Sequence, residues 1–447
     1  MTSPKLPNGS APAALSVPRG IALYVGALFG PGLLLLPGLA AALAGPASIL
    51  AWAGLLAVSG LFALVFTALG TRLPGGGGVI AYATAGLGRR AGRAIGWCFL
   101  TAVVLGAPVV CMIGAGYVTA LIGGGRGTTA LVAALLLTGV TALTLAGARI
   151  GTAVQMVLVG LLLAVIVAAV AGSLPSARAA HWTPFAPHGL TAVGTAASVL
   201  MLSFVGWEAV APLTRRLADP KRTLPRITAA AFGVTAVVYL ALAATVIAVL
   251  GPRADSPVPI ADLLQVTLGS VGPTIAAGAA ALLTLATVNA YLTGAATLAA
   301  HLRLEARPEV ERREAEGREA EQPQRVRAFF LCIAAAGIVE LTAEAFGALD
   351  STRMVTLPTA LFLMVYVGST ASAARVLHGG LRAAAVLACA ASAVVLAFSA
   401  VAAILAVVVA AAGVLAPQRS AQKGRPSPAE AGLCEPARSG GTVKVLC

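Results

Sequence analysis

Charged side chains are scarce in this sequence: they make up 10% of the 447 residues, whereas hydrophobic residues make up 59%. A typical soluble domain carries about 25% charged residues. The shortage therefore excludes an ordinary soluble globular protein. We predict an all-α polytopic membrane protein whose largest partner is the lipid bilayer.

Acidic residues are the scarcer kind, with 16 Asp and Glu against 30 Lys and Arg and a formal net charge of +14. An excess of this size can indicate nucleic-acid binding when the basic residues gather on one soluble face. Here they are scattered over short connections and tails. We therefore expect no nucleic-acid partner and take the basic residues as a record of membrane topology.

Cysteine and histidine are too few and too dispersed for a metal or catalytic centre. The six cysteines show no CxxC spacing, and four of them, Cys98, Cys111, Cys332 and Cys389, fall in apolar segments, where we interpret them as small core residues. The four histidines lie at segment ends or in connections, without an HExxH motif. We expect no metal, no cofactor and no enzymatic activity.

Long apolar runs dominate what remains. Taking about 20 mostly apolar residues as one span, we predict twelve transmembrane helices, of which the last two divide one 36-residue stretch, 381–416. The spans are 18–44, 47–71, 94–122, 128–147, 150–173, 189–215, 226–250, 270–300, 326–346, 354–376, 381–397 and 399–416.

Basic residues fall unevenly on alternate connections. One set of connections, together with both termini, carries 26 of the 30 Lys and Arg residues, and the other carries only Arg126, Arg178, Arg253 and Arg353. Cytoplasmic connections are enriched in Lys and Arg. The asymmetry predicts a multi-pass protein of the cell membrane with both termini in the cytoplasm.

Three polar segments flank or interrupt the apolar ones. Residues 1–17 and 417–447 are predicted to be disordered cytoplasmic termini, because they are rich in Ser, Gly and Pro. The connection 304–326 alternates acidic and basic residues and is predicted to form a charged cytoplasmic loop without chemistry of its own.

The first span contains Gly30-Pro31-Gly32. Pro31 cannot donate to the carbonyl of Ala27, and its ring clashes with that carbonyl, so the helix is predicted to break here. Amides from Leu33 onward would then face a carboxylate, while the carbonyls of Ala27 to Phe29 would suit an ammonium group. The alternative is a simple kink.

The sixth span carries Glu208, which we interpret as the only acidic residue deep inside an apolar segment, directly after Phe204-Val205-Gly206-Trp207. A carboxylate near the bilayer centre costs roughly 2.5–3.5 kcal/mol on insertion scales, so it is a functional hypothesis by default. Gly206 weakens the helix beside it. The alternative is a carboxyl group that only ties two helices together.

The two interruptions fall in spans one and six, five spans apart. Five is odd, so the two halves would be inverted repeats, 18–173 and 189–376, with two peripheral spans in 381–416. Broken helices at corresponding places of inverted repeats indicate a secondary-transporter site near the membrane midplane.

These residues resemble the amino acid-polyamine-organocation transporters, and more narrowly the bacterial exporters of methionine and branched-chain amino acids. Gly30-Pro31-Gly32 looks like the family's glycine-rich first-helix motif, with proline in place of the usual small middle residue. LPGGGGVIAY at 73–82 is similar to the connection between spans two and three. The most specific likeness is FVGWEAVAPL continuing to ADPKRTLPRI, 204–227. Asn289 matches the family's asparagine in span eight, whereas Thr297 stands where relatives often carry arginine.

The resemblance covers about 18–417 and implies a LeuT-type five-plus-five core with two peripheral helices. It also implies roles for particular residues. Phe204 or Trp207 would gate or floor the pocket, and Glu208 with Asn289 would carry or sense a proton. The implied substrate-binding residues are Phe29, Gly30, Pro31, Gly32, Leu33, Ser203, Phe204, Val205, Gly206 and Trp207.

Substrate charge follows from the residues themselves. Lys, Arg, Asp and His are absent from the span centres, so only Glu208 can pair with a charged substrate side chain. We therefore expect a small neutral, aliphatic amino acid, moved with protons by an exporter or exchanger. A polyamine or a basic amino acid is the competitor, and a channel or receptor is a second. Sodium coupling would need hydroxyls such as Thr284 and Thr287, which more often bond neighbouring helices.

Overall fold

A computed structural model of the chain describes residues 15–30, 32–73, 78–147, 152–209, 214, 217–305, 322–399 and 401–415. These residues form helices and connecting turns, with no strand among them. The expectations for Pro31, for most of the charged loop and for the two termini lie outside this part of the chain.

The α-helices are labelled in chain order. They are α1 Val17–Leu28, α2 Gly32–Ala44, α3 Ser48–Arg72, α4 Val79–Leu87, α5 Arg89–Ile122, α6 Arg126–Leu145, α7 Thr152–Ser173, α8 Thr191–Leu200, α9 Pro220–Thr245, α10 Pro259–Leu268, α11 Val271–Glu305, α12 Gln322–Ala345, α13 Ser351–Val376, α14 Gly380–Ala397 and α15 Val401–Leu415.

Eight helical stretches of the described chain are long and apolar enough to cross a membrane, by length and composition alone. Four further apolar helices are shorter, at Val17–Leu28, Thr191–Phe204, Pro259–Leu268 and Val401–Leu415. The fold is therefore that of a polytopic all-helical membrane protein. The count of twelve spans and the five-plus-five repeat stay predictions.

The first predicted interruption is present. Helix α1 ends at Leu28, and α2 begins at Gly32. The Phe29 amide still donates to the Val25 carbonyl at 2.8 Å, but the Gly30 amide turns back to the Leu28 carbonyl at 3.0 Å. Helical hydrogen bonding therefore ends at Phe29, two residues before Pro31. A proline disfavours helical backbone angles at the residue before it, which here is Gly30.

The second predicted interruption is also present. After α8 the chain tightens into a 3₁₀ turn, Met201–Phe204, then turns at Val205 and Gly206 before a short 3₁₀ turn, Trp207–Ala209. Gly206 has φ +131°, a region that side chains bearing a Cβ rarely adopt.

Both interruptions lie in the centre of the bundle. Helices α5, α11 and α13 form its packed middle, with α11 and α13 both against α5. Helix α9 packs against α1 and α3, and α8 packs against α2 and α3. The two breaks therefore face each other inside a helical frame.

Two short helices were not predicted as separate elements. Helix α4 follows the glycine-rich connection, and α10 occupies the segment before α11. The long last apolar stretch is interrupted near the predicted place, since α14 ends at Ala397 and α15 begins at Val401.

Two side-chain expectations were wrong. Cys332 is exposed on the bundle surface and is not a core residue. Glu208 is half-buried in a 3₁₀ turn, and it is not the only acid in an apolar segment, because Glu340 and Glu344 on α12 are 5% and 8% exposed. Both acids fall on the buried stripe of α12, spaced four residues apart like the other residues of one helix face.

Candidate functional site

The two breaks meet through bare backbone. A Cβ placed on Gly206 would lie 2.5 Å from the carbonyl oxygen of Ala27 in α1. Real Cβ atoms do not approach an oxygen so closely, so the backbone of the second break touches the end of α1 only because residue 206 is glycine.

A buried tyrosine from α9 links the breaks. The hydroxyl of Tyr239 lies 2.9 Å from the carbonyl oxygen of Leu28 and 2.8 Å from that of Ser203. A hydroxyl has one proton, which it shares between these two acceptors. Each acceptor is the last or nearly last carbonyl before a break, so Tyr239 adds a hydrogen bond at the end of each interrupted helix; the Leu28 carbonyl also accepts from the Gly30 amide.

Tyr24 repeats this arrangement on the other side of the breaks. Its hydroxyl donates to the carbonyl oxygen of Trp207 at 3.0 Å, and its ring meets the Trp207 indole edge to face, with centroids 5.5 Å apart. Helix α1 is therefore fixed to the second break at two places.

Glu208 belongs to a small hydrogen-bonded ring. Its Oε2 accepts from the hydroxyl of Tyr366 at 2.6 Å and from the amide of Gly206 at 3.0 Å. The Tyr366 oxygen in turn accepts from the amides of Gly206 and Trp207, at 3.1 and 3.2 Å. The carboxyl group and the tyrosine together replace the helical partners of the Gly206 and Trp207 amides.

A cavity of about 350 Å³ lies against this ring. One charged side chain, that of Glu208, lines it among the described residues, together with polar groups of Gln155, Thr287 and Tyr291. Ligand pockets usually start at about 300 Å³ and combine an apolar wall with a few polar groups. We call this space the central cavity.

A second, smaller space of about 50 Å³ adjoins the central cavity. Both are lined by Gly30, Thr287 and Tyr291. The smaller space is otherwise mostly apolar and includes Gly32 at the start of α2, with Val103 and Phe362 opposite. Amides of the first turn of α2 have no partner within their own helix, and the Leu33 amide donates instead to the Gly30 carbonyl at 3.2 Å.

The central cavity extends toward one end of the bundle. Its lining reaches Gly78 and Val79 at the start of α4. Two arginines mark this end: Arg72 donates to the Val376 carbonyl at 3.3 Å, and Arg375 donates to the Gly86 carbonyl at 3.4 Å. We call it the basic end.

The other end of the bundle is closed above the breaks. The hydroxyl of Tyr117 donates to the carbonyl oxygen of Leu34 at 2.7 Å and accepts from the amide of Ile260 at 3.3 Å. A Cβ at Gly38 would overlap the carbonyl oxygen of Ser256. Helix α2 is therefore held tightly between α5 and the segment before α10.

The predicted site residues divide into two groups. Gly30, Gly32, Gly206 and Glu208 line the central cavity or the smaller space beside it. The others described, which are Phe29, Leu33, Ser203, Phe204, Val205 and Trp207, are buried and absent from both linings.

The aromatic residues of the second group do not line the cavity and pack against other side chains around the breaks. Phe29 stacks on Tyr239 with centroids 5.7 Å apart, and Phe204 packs on Trp52 at 5.8 Å. The indole Nε1 of Trp207 donates to the Ser59 hydroxyl at 2.8 Å. The hydroxyl of Ser203 is buried without a partner among the described residues and lies 3.2 Å from where a Gly32 Cβ would be.

Asn289 points to a different place from Glu208. Its Nδ2 donates to the hydroxyl of Thr144 on α6 at 2.9 Å, and neither lining includes it. Of the two hydroxyls considered for sodium, Thr287 lines both spaces, whereas Thr284 packs against Gly114 and lines neither.

Sequence reasoning missed the tyrosines. The chain has six, and Tyr24, Tyr239, Tyr291 and Tyr366 all lie at the breaks or in the cavity wall. A buried tyrosine hydroxyl requires a hydrogen-bond partner. Tyrosines inside apolar helices were therefore an available signal for the unpaired backbone of a broken helix.

Comparison with known proteins identifies the family. Residues 15–303 match the model of the family described as amino acid permease. This range covers more than half of the chain, including both breaks and most of the cavity wall. The chain belongs to the amino acid permease family, within the amino acid-polyamine-organocation transporters.

Individual relatives of this permease are similar at moderate identity. The uncharacterized amino acid permease YecA of Bacillus subtilis (strain 168) is 28% identical over 305 residues, which are 68% of this chain and 71% of the relative. The L-methionine/branched-chain amino acid exporter YjeH of Escherichia coli (strain K12) is 34% identical over 168 residues, 37% of this chain and 39% of the exporter.

A plant relative is similar over a shorter segment of the permease. The chloroplastic cationic amino acid transporter 9 of Arabidopsis thaliana is 32% identical over 102 residues, which are 23% of this chain and 18% of that protein. The matched proteins are transporters, and the permease is accordingly a multi-pass transport protein of the membrane.

Proposed function

We propose that this permease moves small neutral amino acids of the methionine and branched-chain type across the cell membrane. It does so by alternating access, as a proton-coupled exporter or exchanger. The observation that carries the proposal is the meeting of two interrupted helices, at Gly30 and Gly206, beside a cavity that one charged side chain of the described residues lines.

The backbone around the breaks supports a zwitterionic substrate. The positive dipole end at the start of α2 favours a carboxylate nearby, and Gly26 and Ala27, in the last turn of α1, bring main chain suited to an ammonium group to the cavity wall. Gly30 lines the central cavity and Gly32 lines the smaller space beside it, both without a side chain in the way, so a substrate can approach the main chain closely.

The cavity wall supports a neutral side chain. The single carboxylate, Glu208, already accepts two hydrogen bonds through Oε2. A cationic substrate side chain would find that oxygen occupied by Tyr366 and the Gly206 amide and would have to pair through Oε1. The smaller space, with Val103, Leu202 and Phe362 in its wall, suits an aliphatic group.

The same geometry supports a proton role for Glu208. The carboxyl group lines the cavity and also fixes the turn at Gly206 through that residue's amide. Gain or loss of a proton at Glu208 would therefore change the hydrogen bonding of the second break. A change of protonation at one residue can shift the equilibrium between two conformations of the segment that it bonds.

Alternating access is supported by the unequal ends of the bundle. The central cavity reaches Gly78 at the basic end, while Tyr117 and Gly38 hold the other end closed. If the basic end is cytoplasmic, as the positive-inside rule indicates, this is an inward-facing arrangement.

Counterflow in proteoliposomes tests the proposal. Vesicles containing the purified permease are loaded with one amino acid at a time, and uptake of labelled leucine is measured, with protein-free vesicles as the control. We expect internal methionine, leucine, isoleucine or valine to stimulate uptake several-fold, and lysine or putrescine to leave it at the control level.

Two other outcomes would replace the proposal. Stimulation by lysine or putrescine alone would favour the basic amino acid or polyamine alternative, for which the similarity to the plant cationic transporter is the supporting observation. Current without saturable exchange would indicate a channel.

A further inference from the structure

A separate cavity of about 280 Å³ lies toward the end of the bundle opposite the basic end. We call it the outer cavity. Its wall comes from α2, α5, α6, α12, the start of α13 and the segments before α6 and α10. Most lining side chains are apolar, among them Leu35, Val109, Met112, Ile113, Met354 and Val355.

The outer cavity continues the line of the central one along α5. The smaller central space is lined by Gly106 and Val110 of that helix, and the outer cavity by Val109 and Met112. Between them stands the α2 segment that Tyr117 fixes through the Leu34 carbonyl. A solute that leaves or reaches the breaks from this end would pass through the outer cavity.

One carboxylate faces the outer cavity. Glu344 of α12 lines it, is 8% exposed, and leaves Oε2 without a hydrogen-bond partner among the described residues. Glu340 lies one turn deeper in the same helix, 5% exposed, with neither carboxyl oxygen partnered within the described chain. Buried carboxyl groups without partners are costly, especially inside a membrane.

A second polar group points to a ligand independently of the acids. The hydroxyl of Thr119 on α5 lines the same cavity, at 7% exposure, and has no partner in the part of the chain the structure describes. Buried hydroxyls are normally hydrogen-bonded. A donor that could serve both Thr119 and Glu344 would satisfy atoms from two different helices.

The charges around Glu344 are few. Arg126, at the start of α6, lies against Gly347, three residues along the chain from Glu344, but it does not line the cavity. Asp350 and Arg353 pair with each other at the exposed start of α13. The cavity lining itself contains a single charged side chain, that of Glu344, among the described residues.

The lining favours an organic cation over a metal ion. The described residues contain no group of three or more His, Cys, Asp or Glu side chains able to hold a metal. A metal such as Ca²⁺ takes six to eight oxygen ligands, whereas this wall is mostly aliphatic. A primary ammonium group needs a few acceptors, and an apolar body attached to it would fill the remaining space.

We propose that the outer cavity is a binding site for a primary ammonium group with an aliphatic body, held by Glu344 and Thr119. The ligand is either the ammonium end of a neutral amino acid or an aliphatic amine. The amino acid case rests on the proposed function; the amine case does not.

Thiol protection provides a local readout. Ser351→Cys places a thiol at the rim of the cavity, because Ser351 is exposed and lines it. The purified full chain in detergent is labelled with a polar maleimide, and labelling of the native cysteines is subtracted using the parent protein. The probes are leucine, 3-methylbutylamine, which lacks its carboxylate, and 4-methylpentanoate, which lacks its ammonium group.

We expect 3-methylbutylamine to slow labelling and 4-methylpentanoate to have no effect. If leucine also protects, the ligand class includes amino acids; if it does not, the site takes amines. Glu344→Gln should raise the concentration needed for half protection about tenfold to hundredfold, as expected for a lost charge-assisted hydrogen bond. Thr119→Val should raise it to a smaller extent.

Asp255→Asn is the matched control, since it removes an exposed carboxylate near the same end of the bundle without touching the cavity. It should leave protection unchanged. If 3-methylbutylamine protects Ser351→Cys equally well with and without Glu344→Gln or Thr119→Val, the proposal is overturned. It is also overturned if 4-methylpentanoate protects as strongly as the amine. If Glu344→Gln does not fold, Thr119→Val decides alone.

The two proposals fail separately. Loss of protection in Glu344→Gln together with absent counterflow would leave the outer site standing and remove the amino acid transport function. Normal counterflow with unchanged protection would remove the outer site and leave the function.

Discussion

Gly206 carries the closest approach between the two interrupted helices. Its φ of +131° and its distance from the Ala27 carbonyl both exclude a side chain. The sequence drew attention to this glycine as a weak point in a helix. The structure adds that it is a contact surface for the end of α1.

Gly206→Ala should therefore impair both stability and transport. The strained backbone alone costs about 1–3 kcal/mol, and the overlap with Ala27 adds to it. We expect a lower thermal unfolding midpoint in detergent and loss of counterflow. Gly233→Ala is the matched control, because Gly233 is exposed within α9 with nothing within 4 Å of its Cβ position. Similar behaviour of the two variants would contradict the role given to Gly206.

Glu208 combines two functions at one residue, since it lines the cavity and bonds the Gly206 amide. Glutamine keeps the acceptor oxygen but cannot exchange a proton in the physiological range. Glu208→Gln should abolish the pH dependence of transport while expression stays at the level of the parent.

Flux measured in proteoliposomes across a pH gradient checks this, with Asp255→Asn as a control for loss of an exposed carboxylate. Undiminished proton-linked flux in Glu208→Gln would exclude Glu208 as the proton carrier.

Among the helices, α1 and α2 were predictable as a broken pair because Gly30-Pro31-Gly32 removes a donor and loosens the backbone on both sides. The break after α8 has no proline and rests on Gly206. Helices α4 and α10 lie in segments predicted as connections, because nine or ten apolar residues are too few to span a membrane.

Helix α12 carries two buried acids that the sequence analysis did not single out. Glu340 and Glu344 stand in a predicted span, four residues apart, as visibly as Glu208 stands in another. They lie within about 8 Å of the end of α12 at 1.5 Å per residue. A carboxyl group near a span end looks solvated in the sequence, and only the packing of α12 against α5 and α6 buries it.

The close seating of α2 yields a prediction about access. Gly38→Ala should push α2 away from the Ser256 carbonyl and open the outer end, which is the end of the bundle opposite the basic end. A thiol introduced as Ile260→Cys, at a fully buried position, should then react faster with a polar maleimide. A bias of about 1.4 kcal/mol changes the ratio of open to closed molecules tenfold.

The same reporter with Gly54→Ala serves as the control, because a Cβ at Gly54 meets nothing within 4 Å. Unchanged labelling in Gly38→Ala would mean that α2 does not close the outer end.

At the scale of the whole molecule, 26 of the 30 Lys and Arg residues fall on the termini and one set of alternate connections in the predicted topology. Arg72 and Arg375 lie at the end toward which the central cavity extends, and Arg126 lies near Glu344 at the other. The positive-inside rule then predicts that the basic end and both termini face the cytoplasm.

A reporter fused after Cys447 tests the orientation. A fluorescent protein that matures only in the cytoplasm should be bright, and alkaline phosphatase, active only outside, should be silent. The reverse pattern would invert the assignment of the two ends, so that the outer cavity would face the cytoplasm.

The sequence by itself determined the membrane class, the place of the breaks, the carboxylate beside the second one and the family likeness. These follow from local properties, namely hydropathy, the lack of a backbone N–H donor in proline and the energetic cost of a charge in lipid. The tertiary structure alone decided which side chains meet there. Tyrosines from α1, α9 and α13 satisfy the broken backbone from distant parts of the chain, and residues far apart in sequence become neighbours only when the helices pack.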